Sequence, residues 1–136
     1  MGVQFTDNSE AVKSAIEEAV IQGLHAAAGE VMSQAADNSP VDTGALRGDW
    51  KYYVDEKDLV ATIGNTKEYS VYQEFGTGEY ALEGNGRKGG WFYKDAEGKG
   101  HFTHGNKPVR MLFNAFATKK NLIKELIGRE VKSGLK

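Results

Sequence analysis

The feature that most constrains the fold is Ser39-Pro40-Val41-Asp42-Thr43-Gly44-Ala45-Leu46-Arg47, because the hydrophobic period changes on either side of it. Pro40 has no amide proton and biases Ser39 away from helical geometry, so a helix arriving from the N-terminal side must stop at about Asn38. Asp42 and Thr43 can hydrogen-bond nearby backbone and Gly44 tolerates a positive φ, which makes residues 39–48 a compact corner. Arg47 leaves it with a charge able to pin it. Pro40, Asp42, Thr43, Gly44, Leu46 and Arg47 are the structural residues of this corner.

Before the corner, Val12, Ile16, Val20, Leu24, Ala27, Val31 and Ala35 recur at helical spacing, and Asp7 with Glu10 three residues on has the form of a capping box. A helix is expected over residues 7–38. Gly23, Ala26, Ala27, Ala28 and Gly29 are small enough to let another helix approach closely, and the two glycines weaken its middle. After the corner, residues 49–64 read as a hairpin: Trp50, Tyr52 and Val54 share one face, then Asp55-Glu56-Lys57-Asp58 turns, then Leu59, Ala61 and Ile63 alternate with Val60 and Thr62. A short helix is expected over 68–76 with Val71 and Phe75 inward and Gly76 as its left-handed stop. Residues 79–106 hold a Gly-rich loop, Gly84 to Gly90, and a second hairpin turning at Gly98, and 107–133 form a last helix opened by Pro108. Its stripe is Leu112, Ala115, Phe116, Leu122, Ile123, Leu126, Ile127 and Val131. The expected class is α+β in one domain, with the long N-terminal helix and the C-terminal helix packed on a small antiparallel sheet of hairpins, and with a short central helix.

Charge is divided along the chain. Residues 1–40 carry six acids against Lys13, a net −5, whereas 107–136 carry eight Lys/Arg against two acids, a net +6. Either the two ends pack side by side within one subunit, or the acidic end of one copy meets the basic end of another. On the second reading Glu17, Glu18, Lys119, Lys120 and Lys124 are subunit contacts. No run approaches membrane-spanning length and Met1 to Thr6 lacks the form of a signal peptide, so synthesis in the cytoplasm and no membrane partner are expected. With zero cysteines, sulfur-based zinc sites and thiolate chemistry are excluded.

Catalytic patterns are weak. Asp42-Thr43-Gly44 is the tripeptide of aspartic proteases, and a retroviral-type homodimer is the alternative reading. That reading needs an apolar strand before the tripeptide in a nearly all-β chain, and a helical pattern stands there instead. Glu74 beside Tyr72 has no second carboxylate or nucleophile at a telling spacing. The glycines of 84–90 lack the Lys-Ser/Thr and following helix of a phosphate loop. His101 and His104 fall on opposite faces of an alternating strand. No catalytic residue, metal site or cofactor is assigned.

Ser39 to Arg47, then Tyr72-Gln73-Glu74-Phe75-Gly76-Thr77, then Pro108 before a last helix resemble the tail-component family of long-tailed bacteriophages, known as tail-completion, neck or head-tail joining proteins. Trp91-Phe92-Tyr93 and His101-Phe102-Thr103 are similar to a version of it, so the resemblance spans about residues 8–130. The Gly84 to Gly90 section matches poorly. The resemblance implies a non-enzymatic virion protein forming a ring, of six copies, that contacts other tail or neck proteins while DNA passes through without sequence-specific binding. Tyr72, Glu74, Phe75, Gly76 and Thr77 are its family-like central segment.

Overall fold

A computed structural model describes residues 7–40, 45–67 and 69–135. In chain order they form α1 (Ser9–Asn38), α2 (Ala45–Gly48), β1 (Trp50–Asp55), β2 (Val60–Asn65), α3 (Ser70–Phe75), a 3-10 turn (Gly78–Tyr80), β3 (Trp91–Lys94), β4 (Gly100–Thr103) and α4 (Met111–Gly134). This is the expected α+β arrangement, with the hairpins as two separate two-stranded antiparallel sheets.

α1 and α4 form an antiparallel pair. Its closest approach follows from the small residues on α1. A Cβ placed on Gly23 would lie 2.9 Å from the Ile127 Cα, and one on Gly134 would lie 3.0 Å from the Ala19 Cβ. At the other end Asn38 Nδ2 donates to the Met111 carbonyl at 3.1 Å. The buried face of α1 is therefore Ala19, Gly23, Ala27, Ala28, Val31 and Ala35, which keeps the second half of the expected stripe, Ala27, Val31 and Ala35, but not Val12, Ile16, Val20 or Leu24. Val12 and Ile16, expected inside, are 46% and 36% exposed because α4 ends beside Ala19, leaving nothing opposite the first turns among the described residues. Where all layers meet, Val31, Ala35, Leu46, Trp50, Met111 and Ala115 make the core, with Ile63, Leu112 and Ile123 packed against it. Met111 is fully buried and was not in the expected stripe, whereas Phe116, which was, is 42% exposed.

The first hairpin pairs Trp50 with Asn65 and Asp55 with Val60. One face lies on α1, where His25 Nδ1 is 3.3 Å from the Tyr52 hydroxyl. Leu59 belongs to the turn rather than to β2, with φ 56°. Asp55 dictates this by accepting from the Lys57 and Asp58 amides at 3.0 Å each, which closes the turn one residue later than the alternation suggested.

Two helix starts differ from expectation. Asn8, not Asp7, caps α1 and makes no side-chain bond; Asp7 Oδ1 accepts from Ser9 N at 2.9 Å, an Asx turn instead of a capping box. α4 begins at Met111, three residues beyond Pro108, because Val109 N donates to the Gln73 carbonyl at 2.7 Å and Arg110 sits in the left-handed region at φ 59°. Residues 107–110 are thus joined to α3 before helical bonding starts.

Candidate functional site

The site is built around two joints. At the first, Ser39 is buried as the C-cap of α1, and its hydroxyl accepts from Trp50 Nε1 at 2.7 Å and donates to the Ala35 carbonyl at 2.7 Å. Arg47 Nη2 donates to the Asp37 and Ser39 carbonyls at 3.4 and 3.3 Å. A cation at the last carbonyls of a helix suits both their unpaired lone pairs and the negative end of the dipole. Asn65 Nδ2 donates to the Leu46 carbonyl at 2.7 Å, fastening the corner to β2. Asp42, Thr43 and Gly44 lie outside the described residues, while Pro40, Leu46 and Arg47 lie within them. Leu46 is part of the core.

At the second joint the Tyr72–Thr77 segment holds α4 and the loops. Glu74 Oε2 accepts from Leu112 N at 2.8 Å and Oε1 from Phe113 N at 3.0 Å. α4 has no side-chain cap of its own, so a carboxylate from α3 satisfies two of its free amides and faces the positive end of its dipole. Arg110 Nε stands 4.0 Å from Glu74 Oε1 and its guanidinium lies over Phe113 and Phe75, at 4.5 and 5.3 Å from the ring centres. Gly76 has the expected positive φ, 78°, but with ψ 170°, so the chain leaves α3 extended rather than in a left-handed cap. A Cβ there would come within 2.9 Å of the Tyr80 carbonyl oxygen and 3.0 Å of that of Asn106. Thr77 then exchanges bonds with Asn106, Thr77 N donating to the carbonyl at 2.9 Å and Thr77 Oγ1 accepting from Asn106 N at 2.8 Å.

Val71 and Phe75 do not face inward: they are 56% and 40% exposed, and Tyr72 is 59% exposed. The reason is geometric, since α3 turns its Glu74 side toward α4 and its Ser70 side into the body, leaving the apolar pair outside. They line an open cleft of about 450 Å³ with Gly78 and Ala81. The Gly84 to Gly90 loop bounds it. Gly86 packs on the Gly78 backbone so closely that no side chain would fit, and Gly89 N donates to Glu79 Oε1 at 3.1 Å.

In the second hairpin His101 Nε2 meets Asp95 Oδ2 at 2.8 Å, and His104 Nδ1 meets Glu79 Oε2 at 3.2 Å. The two histidines are thus separately partnered. Asp95 is held below the ordinary carboxyl value of 3.8 first by His101 and then by the amides of the turn it closes. Among the described residues, no three His, Cys, Asp or Glu side chains gather as for a metal, and no helix is long and apolar enough to cross a membrane.

Of the residues assigned to subunit contacts, Lys119 reaches Glu30 of its own chain at 3.4 Å, so part of the charge division is spent inside the subunit. Glu17, Glu18, Lys120 and Lys124 are exposed and form no ion pair among the described residues.

The arrangement is a scaffold with apolar and charged surfaces. Residues 4–76 match the family model described as "Bacteriophage HK97-gp10, putative tail-component". The chain belongs to this family of phage tail components. The match takes in α1, the corner, the first hairpin and α3, and ends at Gly76, before Thr77 and the α4 side of the second joint. It does not reach Trp91-Phe92-Tyr93 or α4, short of the span expected from sequence. No curated protein and no solved structure matches the chain significantly. As an HK97-gp10-like tail component the protein belongs to the virion and contacts other phage proteins. The α+β fold is also not the nearly all-β one that the protease alternative requires.

Proposed function

We propose that the protein is a non-enzymatic subunit of a head-to-tail ring, six copies round, that completes the tail or neck of a phage or prophage virion after synthesis in the host cytoplasm, with DNA passing through it unread. The observation that carries this reading is the number of large apolar side chains left outside in a family of tail components: Phe92 is 81% exposed, Tyr53 69%, Tyr72 59% and Phe113 58%. Exposed aromatic side chains of this size are the residue types enriched where proteins contact one another. A ring needs two different patches per subunit, and Glu17 and Glu18 against Lys120 and Lys124, which form no ion pair among the described residues, offer charges of opposite sign for them.

The test is sedimentation of the purified protein with negative-stain imaging, alone and mixed with tails. Rings, alone or on tails, are expected. Reversing Lys120 and Lys124 to Glu, leaving the intrasubunit Lys119 in place, should weaken assembly at low salt, and reversing Glu17 and Glu18 to Lys in the same chain should partly restore it. A wild type that stays monomeric at all concentrations and adds to no tail overturns the ring.

A further inference from the structure

The two ends of the α1/α4 pair are complementary. At one end, α1 runs past the end of α4, so Val12 and Ile16 stand 46% and 36% exposed, with Glu10, Lys13 and Glu17 exposed on the same turns. At the other end, α4 carries an open apolar groove of about 490 Å³ lined by Phe113, Phe116, Ala117 and Ile123, with Lys120 and Lys124 among its walls. Ridge and groove lie at opposite ends of an antiparallel pair whose α4 spans 24 residues, some 36 Å at 1.5 Å per residue. One subunit cannot bring its own two together.

We propose that the groove receives the Ser9–Glu17 end of α1 from a second copy of this chain, Val12 and Ile16 entering between Phe113, Phe116 and Ile123 while Glu17 meets Lys120 or Lys124. The occupant is argued from chemistry on both sides. The ridge is aliphatic with two acids, Glu10 and Glu17, against Lys13, the groove is apolar with two cations, and neither set of charges has an ion-pair partner among the described residues. The Coulomb part sets orientation and encounter more than strength; the apolar insertion supplies the contact. Such a contact is head-to-tail, and this inference deepens the ring proposal, on which it rests.

Two variants separate the faces. Val12→Glu with Ile16→Glu destroys the ridge and keeps the groove; Phe113→Glu with Ala117→Glu does the reverse. All four positions are exposed, so folded monomers are expected, checked by far-UV circular dichroism. Each variant alone should sediment as a monomer under conditions where wild type assembles. Their equimolar mixture should form a 1:1 dimer and go no further, because one intact ridge and one intact groove remain per pair. If wild type forms rings and either variant does too, or if the mixture stays monomeric, the inference is overturned while the ring stands. Variants that ring normally but no longer attach to tails assign the groove to another tail protein and overturn it equally. A wild type that never assembles sinks the ring itself.

Discussion

Glu74→Ala should be among the most damaging single substitutions outside the core. The Glu74 side chain is only 12% exposed and its carboxylate takes two α4 amides, from Leu112 and Phe113. Losing a helix cap costs about 0.5–2 kcal/mol, and losing a carboxylate at the dipole's positive end adds about 0.3–1 kcal/mol, more where it is partly buried. Arg110, 4.0 Å away and a quarter exposed, contributes little beyond this. The expected loss is about 2–3 kcal/mol. For a domain of this size each kcal/mol lowers Tm by about 3–5 °C, so the variant should melt about 10 °C below wild type. Glu74→Gln keeps one acceptor and loses the charge, and should fall about 1 kcal/mol below wild type. Urea and thermal unfolding followed by circular dichroism give both numbers. If Ala and Gln both stay within about 0.5 kcal/mol of wild type, the carboxylate is not what caps α4 and the account of this segment is wrong.

Other expectations follow from the same geometry. Gly23→Ala gains about 1 kcal/mol of helix propensity but must push its Cβ against the Ile127 backbone, so it should be net destabilising, whereas Gly29→Ala, with nothing within 4 Å, should stabilise by about 0.5–1 kcal/mol; urea midpoints that rise for both contradict the close packing. Ser39→Ala orphans the buried Trp50 Nε1 and should cost about 1–3 kcal/mol, read from unfolding monitored by tryptophan fluorescence; an unchanged midpoint argues against that bond. Trypsin should cut next to Arg87 or Lys88 in the Gly-rich loop before any site within residues 10–36, and first cleavage inside α1 speaks against the assignment. Asp95 has a folded-state value depressed below 3.8, so its stabilisation of the second hairpin is present above that value and is lost as pH falls through the lower folded one. NMR titration should place its midpoint below 3.8 and move it up in His101→Ala; a midpoint at or above 3.8 refutes the turn's hold on it.

How much was legible in the residues depends on the reach of the force involved. Pro40 acts on its own neighbour, and the end of α1 at Asn38 was readable for that reason. The alternation of Trp50, Tyr52 and Val54 and the Gly98 turn act over a few residues, and both hairpins stand where they were read. Small residues around Gly23 announced a close helix approach before the partner was known. What only the tertiary structure decided are matches between distant groups. Glu74 caps a helix 38 residues away, Trp50 finds Ser39 across the corner, and Lys119 is taken by Glu30. The Val109–Gln73 bond moved the start of α4 past Pro108 and the hold of Glu74 on α4 turned Val71 and Phe75 outward, because periodicity marks a face as apolar but not which neighbour it meets. The same limit holds for Val12 and Ile16, whose apolar spacing is plain in the chain and whose exposure arises only because α4 ends beside Ala19.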